Sequence, residues 1–142
     1  MFKNFLKTDD DRVIAMIRIA LGVVMFSHGA GKVLGWFGGG GIAGTFGFMN
    51  GMLHIPAPFA YLAIFAEFFG SLGLIFGLFG RLSALGIIGV QCGALFLVHI
   101  HNGWSGGGHG GGIEYMAMSL PMAFAILIRG SGAWSIDRLI AK

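Results

Sequence analysis

From Phe59 to Phe79 the chain offers a single charged side chain, Glu67, among glycine, alanine, leucine, isoleucine and phenylalanine. A run so poor in groups for water to hydrate reads as a helix crossing a bilayer, which takes roughly 17 to 25 apolar residues. Three further runs of the same kind lie at about Val13–Leu34, Leu82–Ile100 and Ile113–Ile128. Together they predict an all-α fold: an integral membrane, antiparallel four-helix bundle forming one domain over residues 1–142. Only 11% of residues are charged and mean hydropathy is +0.82. Soluble domains average about 25% charged residues, so there is too little polar surface here to coat a water-soluble globule.

The connections follow from the breakers. Gly80 and Arg81 are nearly all that separates the second run from the third, which predicts a tight hairpin. Glycine-rich segments, Trp36–Pro58 and Asn102–Gly112, join the other pairs. Asp9, Asp10 and Asp11 interrupt the basic start, and no small-residue cleavage site follows, so the first run is expected to be retained rather than removed as a signal peptide.

Four spans place Lys3, Lys7, Arg12, Arg81, Arg129, Arg138 and Lys142 on one side and Lys32 on the other. The positive-inside rule then predicts a plasma membrane protein with both termini in the cytoplasm. Trp36, Tyr61, Trp104 and Tyr115 fall near the outer boundary, and Phe5 and Trp134 near the inner one. The basic residues are few and scattered, which points to membrane lipids as their partners and not to nucleic acid. Cys92 is the sole cysteine, so dithiol chemistry within the chain is excluded.

Two glycine series, Gly70, Gly73, Gly77, Gly80 and Gly86, Gly89, Gly93, predict a close seam between the second and third helices. Arg18, Gly22, Met25, Gly29 and Lys32 form a stripe on the first helix, and Glu114, Met118, Met122, Ala125 and Arg129 share a face of the fourth. Glu67 is expected near the midplane, with His28, His99 and Glu114 in the outer half and His54, His101 and His109 at or beyond its edge. A charged group in lipid costs several kcal/mol, roughly 2.5 to 3.5 on insertion scales, and usually has a partner and a purpose. The expected partner of Glu67 is Lys32 or Arg18. A structural ion pair gluing the helices remains the alternative to a ligand site.

The succession R-I-A-L-G (Arg18 to Gly22), H-G-A-G-K (His28 to Lys32), A-E-F-F-G (Ala66 to Gly70), G-L-F-G-R (Gly77 to Arg81), G-G-G-I-E-Y (Gly110 to Tyr115) and G-A-W-S-I-D (Gly132 to Asp137) resembles the DoxX family of small four-helix bacterial membrane proteins. The resemblance covers nearly the whole chain and assigns His28, Lys32, Glu67, Arg81 and Glu114 to the family's recurrent polar positions. It implies association with membrane redox complexes and thiol stress. The family is named after a subunit of a thiosulfate:quinone oxidoreductase. Animal relatives act as assembly chaperones, and relatives linked to disulfide handling fit poorly with a single Cys92.

On this basis the leading expectation is a quinone-binding subunit of a membrane redox complex. His28 and Lys32 would donate hydrogen bonds, Glu67 would accept protons, and His99 and Glu114 would complete the pocket. No dinucleotide fingerprint, cysteine cluster or haem motif is present, so a soluble or membrane redox partner protein would deliver electrons. Alternatives are a non-catalytic assembly factor or scaffold, including a homo-oligomer, and small-molecule transport, although no repeat relates the two halves. Met49, Met52 and His54 carry ligand types that suit Cu(I), but apolar interfacial methionines more often anchor a loop to lipid, and no metal is assigned.

Overall fold

The structure, a computed structural model, describes residues 2–107 and 111–142, and His109 lies outside them. The described elements are helical: α1 (Phe2–Leu6), α2 (Arg12–Leu34), α3 (Gly41–Phe46), α4 (Ala57–Phe76), α5 (Gly80–Leu97), α6 (Ile113–Arg129) and α7 (Ile136–Ala141). Short helical turns occupy Trp36–Gly38, Gly47–Met52 and His99–His101. Three helices, α2, α4 and α5, are long and apolar enough to cross a membrane.

Local chemistry sets the ends. Asp11 starts α2 by accepting hydrogen bonds from the backbone N–H groups of Val13 and Ile14, at 2.9 and 3.1 Å, which satisfies donors left over in a first turn. Gly77 stops α4 in the left-handed conformation, φ 65°, where a side chain would be strained. The hairpin turn is therefore Gly77–Phe79, not the Gly80–Arg81 expected from hydropathy, and the second and third helices are Ala57–Phe76 and Gly80–Leu97 instead of 59–79 and 82–100. Val98 leaves helical geometry (φ −127°), so His99 and His101 sit on a separate tight turn. The fourth helix runs as expected to within one residue.

Packing closes a ring in the order α2, α4, α5, α6 and back to α2. Its core holds Leu21, Met25, Leu74, Ala84, Ile87, Ile88, Ala123 and Ile126. The closest approach is between α2 and α4. A Cβ added at Gly22 would stand 2.9 Å from the Ile75 nitrogen, and one at Gly29 would stand 2.8 Å from Phe68 Cα. Those two glycines, a heptad apart, let the two backbones touch. The hairpin partner α5 behaves differently. Gly70 and Gly73 of α4 do meet Ser83 and Ile87, but Gly89 and Gly93 have no neighbour within 4 Å. The second half of the expected hairpin seam is open surface. Helix α6 is also rotated from expectation: it buries Met116, Ser119, Ala123 and Ile126, while Glu114, Met118 and Arg129 are exposed. Its inward face thus carries one serine among apolar side chains, with no charge.

At the end holding both termini, Arg18 is fully buried and satisfies all its N–H groups with backbone carbonyls. It donates to Leu74 and Ile75 at the end of α4 and to Ser131, Ala133 and Trp134 beyond α6. Asp137, also buried, accepts from the Phe79 and Gly80 N–H groups at 2.7 and 2.8 Å and from the Ser131 hydroxyl at 2.5 Å. One buried carboxylate therefore caps α5 from a distant segment. Arg81 donates to the carbonyls of Phe5 and Lys7, holding the start of the chain against α5.

Candidate functional site

The α2–α4 contact creates the site. Gly29 packs against the backbone of Glu67 and Phe68, and one turn further along α2 the Lys32 ammonium reaches the Glu67 carboxylate as an ion pair. Glu67 is buried, 2% exposed, whereas the Lys32 side chain keeps 28% of its surface exposed. Of the two partners expected for Glu67, Lys32 is the one in contact; Arg18 is spent on the carbonyls at the opposite end.

Three rings surround this pair. His28, one turn before Lys32 on α2, is exposed, and its ring lies 5.3 Å from that of Tyr115 on α6. His28 is within electrostatic reach of Glu67, Lys32 and His99, and Tyr115 is within reach of Glu67. Half-buried His99 faces the Gly111 carbonyl with Nδ1 at 2.8 Å, and since a carbonyl only accepts, Nδ1 carries the hydrogen and donates it. Helices α2, α4 and α6 and the turn after α5 so bring His28, Lys32, Glu67 and His99 into one cluster, its rim exposed and its carboxylate at the bottom. Glu114 stands apart: it is exposed and accepts from the Ser105 hydroxyl at 3.4 Å.

Beneath the cluster lies a polar layer that hydropathy alone does not reveal. The Met25 sulfur accepts from the Tyr115 hydroxyl at 2.9 Å and from the Gln91 amide at 3.1 Å. The Gln91 oxygen in turn accepts from Ser119 at 2.6 Å. Thioether sulfur is a weak acceptor, so these donors are held chiefly by their position. Met25, Gln91 and Ser119 are all buried. The available signal was Gln91 itself, the only side-chain amide in α5 and the only strongly polar group beyond its first turn. Below this layer the apolar core closes the interior, and Arg18 seals its far end.

His54 and His101 are exposed loop residues. Met52 is largely exposed, and Met49 is half-buried in the same turn. Among the described residues, no group of three His, Cys, Asp or Glu side chains is arranged to hold a metal ion.

Comparison with known proteins decides the family. The DoxX family model matches residues 13–100, which includes α2, α4 and α5 and with them His28, Lys32, Glu67 and His99. The chain belongs to the DoxX family. The inner membrane protein YqjF of Escherichia coli (strain K12) is 31% identical over 139 residues, covering 96% of this chain and 98% of that protein. No solved structure matches. With its apolar helices and this relative, the DoxX protein described here is a multi-pass membrane protein of the plasma membrane type.

Proposed function

We propose that this DoxX protein binds a quinone head group at the Glu67–Lys32–His28 cluster, as a subunit of a membrane redox complex. In this reading α6 is a fourth span and both termini are cytoplasmic. The basic residues gathered at the terminal end, against Lys32 alone at the loop end, support that orientation.

The observation that carries the reading is the arrangement of donors around one buried carboxylate. Lys32 has three N–H groups; one holds Glu67, and its partial exposure leaves the others able to reach a ligand carbonyl. The His28 and Tyr115 rings adjoin at 5.3 Å with their planes tilted by 50°, which offers a planar head group an aromatic contact and an imidazole donor. A quinone supplies two-electron, two-proton redox chemistry when bound. Glu67 would accept and return protons, Lys32 would hold its charge in place, and His28 would exchange protons with water at the rim. The Met25–Gln91–Ser119 layer and the core below keep the cluster from communicating with the opposite side. Electrons would come from a partner protein.

A second reading, a non-catalytic assembly factor, draws support from the complete pairing of buried polar groups: among the described residues, no buried side-chain nitrogen or oxygen lacks a partner. Mild extraction from native membranes followed by solvent extraction and mass spectrometry separates the two. The quinone reading predicts near-stoichiometric quinone in wild type and at least a tenfold loss in His28→Gln. Absence of quinone from wild type, with a protein partner retained stoichiometrically, would favour the assembly factor.

A further inference from the structure

Two cavities on the outside of the ring meet at one residue. The larger, about 880 Å³, is an apolar trough between α4 and α5, walled by Leu62, Phe69 and Phe76 on one side and Leu82, Leu85 and Val90 on the other. Gly86 and Gly89 form part of its floor, and a Cβ at Gly89 would meet nothing within 4 Å. The smaller, about 310 Å³, lies at the terminal end and is lined by Phe76, Trp134, Leu139, Arg138 and Lys142. Phe76 belongs to both. An apolar trough therefore opens into a basic, aromatic mouth.

We infer that these cavities together form a binding site for one anionic phospholipid. Its phosphate sits between Arg138 and Lys142, and one acyl chain lies in the α4–α5 trough. Arg138 on α7 and Lys142, the residue just past its last turn, both line the smaller cavity. Asp10 fixes the Arg138 guanidinium from outside at 2.6 Å, leaving Lys142 exposed to neutralise the phosphate. Trp134, 63% exposed, lines the mouth, and indole rings favour the headgroup level.

The dimensions agree. Gly86 and Gly89 lie about 9 and 14 Å along α5 from Gly80, at roughly 1.5 Å per residue. Half of a hydrocarbon core about 30 Å thick is about 15 Å, so the trough's glycine floor falls within the leaflet whose headgroups reach Arg138. In the orientation proposed above this is the cytoplasmic leaflet, whose surface carries the negative lipid charge. The phospholipid matches both the charge and the taper.

The test is native mass spectrometry of delipidated full-length protein in detergent, titrated with phosphatidylglycerol or phosphatidylcholine of equal chain length. One phosphatidylglycerol should bind at least tenfold more tightly than phosphatidylcholine. Arg138→Gln with Lys142→Gln should abolish that preference. Gly89→Leu should weaken both lipids, since its Cβ enters open space and the rest of the side chain occupies the trough. Equal binding of the two lipids by wild type, or an unchanged preference in the double variant, would overturn the site. So would a Gly89-dependent dimer that excludes lipid, because the trough would then be an interface between copies. Should a variant fold poorly, wild type in rising salt gives the same answer: the preference must shrink as ionic strength screens the phosphate, and a salt-independent preference contradicts it.

Discussion

Adding one methyl group at Gly29 should loosen the whole site, whereas adding one at Gly89 should do nothing. The ideal Cβ at Gly29 stands 2.8 Å from Phe68 Cα and 3.0 Å from Phe68 N, while ordinary contact begins at 3.4 Å. Both neighbours are backbone, so no side chain can swing away, and α2 must move from α4 by at least about half an ångström. Overpacking of this kind typically costs about 1–3 kcal/mol. Gly29→Ala should therefore lower the melting temperature by several degrees, at roughly 2–8 °C per kcal/mol for domains of this size range. It should also pull Lys32, one turn away, off Glu67. Gly89→Ala adds its methyl to open space, and its change should stay within about 0.5 kcal/mol, as for a surface substitution. Thermal unfolding of the purified proteins in one detergent, followed by circular dichroism, measures both. Equal destabilisation by the two variants would refute the assignment of the tight seam to α2 and α4.

Other outcomes follow from the same geometry. Arg18→Met strips the carbonyls of Leu74, Ile75, Ser131, Ala133 and Trp134 of their donor. Loss of one member of a buried charged network costs about 3–5 kcal/mol, so the variant should fail to accumulate or melt far below wild type; normal melting would show that these bonds contribute little. Asp137→Asn replaces an acceptor at the start of α5 by a group that is partly a donor, and should lose about 1–3 kcal/mol, read in the same assay; unchanged stability would mean the cap is dispensable. In a Cys92→Ala background, Ser105→Cys and Gly47→Cys should react with an impermeant thiol reagent in intact cells and Asn4→Cys should not. Labelling of Asn4→Cys would reverse the proposed orientation.

Hydropathy made the apolar helices legible, because a run without charges has few other destinations. The ion pair between Lys32 and Glu67 was legible for a related reason: a carboxylate stranded in apolar sequence needs a cation, and only two candidates were near enough in depth. What the sequence could not convey was azimuth. Both glycine series on α4 and α5 look equally suited to close packing, yet Gly70 and Gly73 meet a neighbouring helix while Gly89 and Gly93 face outward. Nothing local distinguishes a glycine that admits a protein backbone from one that leaves space for lipid. The same ambiguity turned Glu114 outward, since a 17-residue helix with its acidic group in the first turn can rotate until that group reaches the boundary. Arg18 and Asp137 were visible as polar residues, but their roles depend on the segment after α6 folding back over the terminal end. Long-range closure of that kind leaves no periodic trace.

The central claim is that Glu67 serves a ligand and is more than the anchor of an ion pair. Glu67→Gln and the double variant Glu67→Gln/Lys32→Met test it when melting temperature and bound quinone are measured on the same preparations. A ligand site predicts that the double variant, which removes both charges, recovers wild-type melting and yet retains less than a tenth of the wild-type quinone. Wild-type quinone content in a stably folded Glu67→Gln protein would contradict the account.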